Sequence, residues 1–148
     1  MNWYAHPESR SFILRRFLPR LAICSLVWEV AQLPLYTLWA ELRLEHIAWV
    51  AHCTAGDVLI GMAALLLALI LNGAGERANW PVNRIVMWMI AAAVAYTMWS
   101  ERINLAQGNW AYSAWMPVLP GIGVGLSPLL QWVVVPLAAW SWARRQIP

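Results

Sequence analysis

Apolar residues run along this chain in long stretches, and the few polar positions inside them recur at helical spacing. About 20 consecutive apolar residues let a helix cross a bilayer. Four stretches reach that length: about Leu18 to Trp39, about Glu45 to Leu71, about Pro81 to Leu105, and one between Pro117 and Ala143. The pattern predicts an all-α, polytopic membrane protein, a four-helix bundle forming one integral membrane domain over residues 1–148. Turn residues mark the limits. Pro19 and Pro81 stand where a first helical turn tolerates proline, and Asn72-Gly73-Ala74-Gly75 ends the second stretch. Pro34 predicts a kink about two-thirds of the way along the first helix. Pro117, Pro120, Gly121, Gly123 and Gly125 break the regularity ahead of the last helix. Residues 112–126 are therefore expected to form a coil or re-entrant cap, with Ser127-Pro128 as N-cap and first-turn proline of the regular helix. Ser11 to Phe17 reads as a short basic amphipathic lead-in lying on the membrane surface. The first stretch is not a signal peptide, because it carries Glu29 and two prolines and lacks a small-x-small cleavage site.

Composition agrees. Of 148 residues, 61% are hydrophobic and 11% charged, too few polar groups to cover a water-soluble globule of this size. Disorder and a secreted disulfide scaffold are excluded on the same ground. Cys24 and Cys53 fall at different depths, about 9 Å or more apart, and read as small buried hydrophobes rather than a disulfide. All ten basic residues are arginine and seven residues are acidic, for a net charge of +3, which does not call for a nucleic-acid partner. Position matters more than the sum. Eight arginines flank the termini and the 72–81 turn, whereas only Arg43 and Arg102 lie on the other side. That bias predicts a multi-pass protein of a bacterial inner membrane with both termini cytoplasmic. Of the twelve tryptophans, Trp39, Trp49, Trp110 and Trp115 suit the outer aromatic belt, and Trp80, Trp140 and Trp142 the inner one. Trp28, Trp88, Trp99 and Trp132 lie deeper, as core packing or as an aromatic wall for a flat ligand or a developing cation.

A carboxylate at the bilayer centre costs roughly 2.5–3.5 kcal/mol on insertion scales, so each one needs a reason. Glu29 lies about 16 Å along the first helix, with Gln32 and Tyr36 following on the same face. On the second helix His52 sits near the outer interface and Asp57 about 7 Å deeper. Thr97, Glu101 and Asn104 form an i, i+4, i+7 stripe on the third, and Gly123, Ser127 and Gln131 lie four apart on the last. On a common depth axis all these residues fall in the outer half or near the centre. The pattern predicts a polar pocket, open outward or sideways, to which all four helices contribute. The competing reading makes Gln32, Asn104 and Ser127 interhelical glue, at about 0.6 kcal/mol apiece.

No convergent ligand spacing marks a metal site, and no glycine loop, CxxC pair or nucleophilic triad is present, so neither metal nor cofactor is expected. What fits is proton chemistry on an apolar substrate. A carboxylic acid shielded from water donates a proton to an alkene, a second carboxylate steadies the charge, and aromatic faces line the path. Glu29 and Asp57 are the candidate acid and charge stabiliser, with His52 and Glu101 relaying protons toward water. Gln32, Asn104, Tyr112, Gln131, Trp28 and Trp132 are candidate substrate-binding residues. The expectation is an isomerase or cyclase acting on an isoprenoid or sterol-like membrane lipid. Two rivals stay open: a non-catalytic accessory or ligand-binding subunit of a larger membrane complex, and a small transporter. Four spans are few for transport, so that reading needs a homodimer, for which Gly123, Ser127 and Gln131 offer a small-xxx-small seam.

The segment Glu101 to Tyr112 (ERINLAQGNWAY), followed by a glycine-rich turn and Leu126-Ser127-Pro128-Leu129-Leu130-Gln131, resembles the lycopene cyclase domain of the small membrane-embedded type. The resemblance covers about 30 residues and implies that Glu101 matches that family's acid, Gly108, Trp110 and Tyr112 its Gly-x-Trp-x-aromatic element, and Pro128 its proline. Leu130 and Gln131 stand where that family has paired glutamates. The whole chain, with the strings WEVAQLPLYTLW and HCTAGDVLIG, is similar to uncharacterised four-helix inner-membrane proteins of proteobacteria.

Overall fold

The first helix begins well before its apolar run. In the computed structural model, which describes residues 2–37 and 44–145, helix α1 runs Pro7–Leu35. Helix α2 covers Leu44–Leu71, α3 Val82–Gln107 and α4 Leu126–Arg144. Each is long and apolar enough to cross a bilayer, so the all-α four-helix bundle is as the hydropathy pattern predicts. Successive helices alternate in direction. The N-terminal turns, the 72–81 turn and the end of α4 meet at one end (the terminal end), where Ser9 Oγ donates to Gly75 O at 3.1 Å. The opposite (far) end gathers residues 34–37 and the segment between α3 and α4.

Ser11 to Phe17 is part of α1, not a separate surface helix. Over Phe12–Phe17 the backbone widens into a π-helical stretch, with the Leu18 N–H donating to Ile13 O. Pro19 follows directly. A proline inside a helix lacks its N–H and its ring crowds the carbonyl four residues back, here that of Arg15, and a widened turn gives that carbonyl room. Phe12, Ile13 and Phe17 are buried because they fill the terminal-end core. Phe12 meets Trp80 and Trp140 edge-on with ring centroids 6.0 and 5.1 Å apart, and Phe17 meets Trp140 at 5.6 Å. Trp80 and Trp140 thus belong to the core rather than to an interfacial belt.

Trp88 and Trp99 correct the opposite expectation. They are 46% and 59% exposed and point outward, because a helix bathed in lipid gains little by turning an indole inward. Ile23, Val27, Leu59, Ile70, Leu130 and Val134 are likewise exposed, so the outside of the bundle is apolar. Leu21, Leu65, Leu69, Ile85 and Met89 fill its terminal half. Gly61 permits the close approach of α1 and α2: a Cβ there would lie 2.5 Å from Leu21 Cδ2.

Pro34 ends α1 rather than kinking it. Leu33–Leu35 tighten into a 3-10 turn and Tyr36 is extended, with φ −116° and ψ 152°. A helix end leaves carbonyls without partners, and Ser113 supplies them: its N–H donates to Leu35 O and its hydroxyl to Pro34 O, both at 2.9 Å. Trp39 and Arg43 lie outside the described residues.

Residues 108–125 form the expected cap. Gly108, in the left-handed region at φ +70°, turns the chain out of α3. Tyr112 then bridges Tyr36, and Val118 bridges Gly125, so the irregular backbone is paired rather than bare, as its setting demands. Helix α4 starts at Leu126 with Gly125 as N-cap. Ser127 does not cap it, because position 127 faces the bundle, where its hydroxyl donates to Gln32 Oε1 at 3.0 Å. Nor is there an outward small-residue seam through Gly123, Ser127 and Gln131. Gly123 belongs to the cap and Gln131 is 3% exposed.

Candidate functional site

The far half of the bundle is built on different chemistry. Glu29, Gln32, Asp57, Thr97, Glu101 and Gln131 are all buried and all point inward. They surround a cavity of about 320 Å³ to which all four helices contribute, at the small end of the range of small-molecule sites (about 300–1,000 Å³). The side-by-side placement follows from the periodicities. Glu29 and Gln32 share one face of α1, Thr97, Glu101 and Asn104 one face of α3, and Asp57 lies near the middle of α2.

Two polar groupings face each other across this space. The deeper one joins three helices. Gln131 Nε2 on α4 donates to Asp57 Oδ2 on α2 at 2.6 Å, and Gln32 Nε2 donates to Glu29 Oε1 on α1 at 2.7 Å. The Glu29 and Asp57 carboxyls, from neighbouring helices, line the same cavity. Gln32 is itself set by two donors to its Oε1, the Trp28 indole N–H at 3.2 Å and the Ser127 hydroxyl.

The second grouping closes the far end. The Tyr112 hydroxyl donates to Glu101 Oε2 and accepts the Gly125 N–H at 2.9 Å. Burial, together with Glu101 next to it, pushes the Tyr112 phenol well above its usual range, so it stays a donor. Gly125 is required here, since a Cβ would meet Met116 Sδ at 2.8 Å and Tyr112 Cζ at 3.1 Å. One cap residue thereby locks the only charged group of α3 that faces inward.

All four candidate catalytic residues, Glu29, His52, Asp57 and Glu101, line the one cavity, as do Gln32, Asn104, Gln131 and Trp132 among the candidate binding residues. His52 is exposed at the rim beside Trp49, ring centroids 6.2 Å apart. Asn104 is engaged by its surroundings: its Nδ2 donates to Ser100 O at 2.9 Å and its Oδ1 accepts Asn109 Nδ2 at 2.7 Å. Trp28 and Tyr112 stand behind the wall and act on the cavity through Gln32 and Glu101. Sequence reasoning missed Gly56, Tyr96 and Ser100 as lining residues. Ser100 and Tyr96 lie four and eight positions before Asn104, so the helical period carried that signal. Gly56 has nothing within 4 Å of a built Cβ, and its missing side chain is part of the open space.

Among the described residues the site holds no ion pair. Glu29, Asp57 and Glu101 have no arginine or histidine partner among the described residues. No three His, Cys, Asp or Glu side chains among those residues are arranged to hold a metal ion. Compared with known proteins, the chain matches no family model, no curated protein and no solved structure.

Proposed function

We propose that this protein is a membrane enzyme performing acid–base chemistry of the isomerase or cyclase kind on an apolar isoprenoid or sterol-like lipid. The observation that carries the reading is the convergence of Glu29 and Asp57: two buried carboxyls from separate helices, held by Gln32 and Gln131, lining one cavity with apolar and aromatic walls. Interhelical glue needs only amides, at far lower insertion cost than carboxyls. An acid–base reaction needs a proton that can be given and retrieved.

In the mechanism Glu29 and Asp57 hold one proton between them and give it to an alkene carbon that is seated against them. The new C–H bond leaves a carbocation, and the two carboxylates that result face that charge. Loss of a proton from a neighbouring carbon, back to the pair or to Glu101, restores a double bond at a shifted position. Glu101, held by Tyr112, and His52 at the rim connect the site to water. The cavity takes one end group of a long lipid, and the rest of the chain lies along the apolar exterior. The arginine bias supports a topology with both termini in the cytoplasm of a bacterium and the cavity toward the outer leaflet of the inner membrane.

The test is isotopic. Gently extracted protein is analysed by native mass spectrometry for retained lipid, and membranes are then incubated in D2O. Wild-type protein is expected to place deuterium at allylic carbons of that lipid, and Glu29→Gln and Asp57→Asn to abolish the uptake at unchanged protein yield. Equal uptake in both variants and wild type sinks the proposal.

A further inference from the structure

The cavity has an uncompensated sign. Among the described residues its walls carry three carboxyl groups, those of Glu29, Asp57 and Glu101, and no arginine, and the chain contains no lysine. The basic side chain among the described lining residues is His52, exposed at the rim. Buried carboxylates are ordinarily matched by a cation or neutralised. Here the amides of Gln32 and Gln131 and the hydroxyl of Tyr112 supply dipoles, which orient the acids without cancelling their charge. Glu29, Asp57 and Glu101 face the same space, and a cation entering it favours the ionised form of each. The wall between these acids is aromatic: Tyr36, Trp49, Tyr96, Trp110 and Trp132 all border the cavity. Ring faces attract cations, and most strongly where water is excluded.

We infer that the cavity selects a ligand group bearing one positive charge, an alkylammonium head on an apolar tail, which lodges among the aromatic rings between the two carboxyl groupings. The chemistry of the lining bounds the class. Among the described residues an anion meets three acids and only the rim His52 as a base, and a strongly hydrated small cation gains little from aromatic walls. An alkylated ammonium is weakly hydrated and suits both the rings and the acids. The inference rests on the cavity of the catalytic reading and adds to it, because a carbocation and an ammonium present the same charge to the same walls. It does not require turnover.

The test uses full-length protein in nanodiscs of zwitterionic phosphatidylcholine. N,N-dimethyldecylamine, an ammonium ion at neutral pH, is compared with its uncharged analogue N,N-dimethyldecanamide, with empty nanodiscs correcting for partitioning. Thermal stabilisation and tryptophan fluorescence report binding. The amine is expected to bind at least tenfold more tightly than the amide, and Glu101→Gln to reduce that preference severalfold. Equal binding of the two probes to wild-type protein overturns the inference without recourse to any variant. An amine preference that Glu101→Gln leaves intact overturns the assignment of the site. Deuterium uptake without amine preference removes this inference alone, whereas amine preference without uptake removes only the catalytic proposal.

Discussion

The two halves of this bundle share four helices and almost nothing else. In the terminal half, Phe12, Phe17, Trp80 and Trp140 interlock edge-on above a carbon core of Leu21, Leu65, Leu69, Ile85 and Met89. In the far half, inward positions of the same helices carry Glu29, Asp57, Glu101, Gln32 and Gln131 around open space. The contrast teaches where rigidity comes from. In lipid there is no hydrophobic drive between helices, so close packing must hold them together, and the terminal half provides it. The far half is then free to contain a cavity, and the cap closes it with hydrogen bonds instead of packed carbon.

The comparison breaks most sharply at the paired acids. Glu29→Gln and Asp57→Asn are expected to lower turnover by about 10²–10⁴-fold, the usual worth of a positioned general acid. Melting temperatures should stay near wild type, since an amide keeps the volume and most of the hydrogen bonds. A large loss of stability with proportionate loss of activity would make these residues structural.

Phe12→Ala should do the reverse. Emptying an aromatic site in the packed half costs about 3 kcal/mol or more, visible in denaturant or thermal unfolding of the detergent-solubilised protein. Folded protein should keep its affinity for ligand, because the cavity lies in the other half. Tyr112→Phe comes next. It deletes the donor to Glu101 and the acceptor of the Gly125 N–H, an expected loss of about 1–3 kcal/mol. Hydrogen exchange at Gly125 should quicken while amides around Leu65 are unaffected, and uniform acceleration would mean that the cap and the core unfold together.

The smallest effect is a matched pair of glycines on α2. Gly56→Ala meets nothing within 4 Å and should stabilise the helix by about 1 kcal/mol. Gly61→Ala drives a Cβ to 2.5 Å from Leu21 Cδ2 and should reverse the sign through overpacking. Thermal melts of the two variants decide it, and stabilisation by both would mean that the helices separate more easily than their packing implies.

What could be read directly from the chain was whatever depends on period and solvent. Long apolar runs have one stable form in a bilayer, the self-satisfied helix, so four spans followed from composition and length. Inward-facing acids were legible too, because a carboxyl group in lipid has to turn toward protein, and its helical period then names its neighbours. The segment before the last helix was legible as a cap because glycine and proline crowd it.

What required the folded molecule was everything that depends on a partner distant in sequence. The period does not say that Gln131 lies against Asp57, that Ser127 reaches Gln32 instead of capping its own helix, or that Tyr112 folds back onto Glu101. Pro34 reads as a kink until Ser113 is seen satisfying the carbonyls that let the helix stop there. Trp88 and Trp99 look like core residues until the bundle shows which faces lipid occupies, since hydropathy cannot separate an apolar neighbour from an apolar solvent. Local preference and burial are properties of a segment, whereas a hydrogen bond between segments exists only once packing has set the distance.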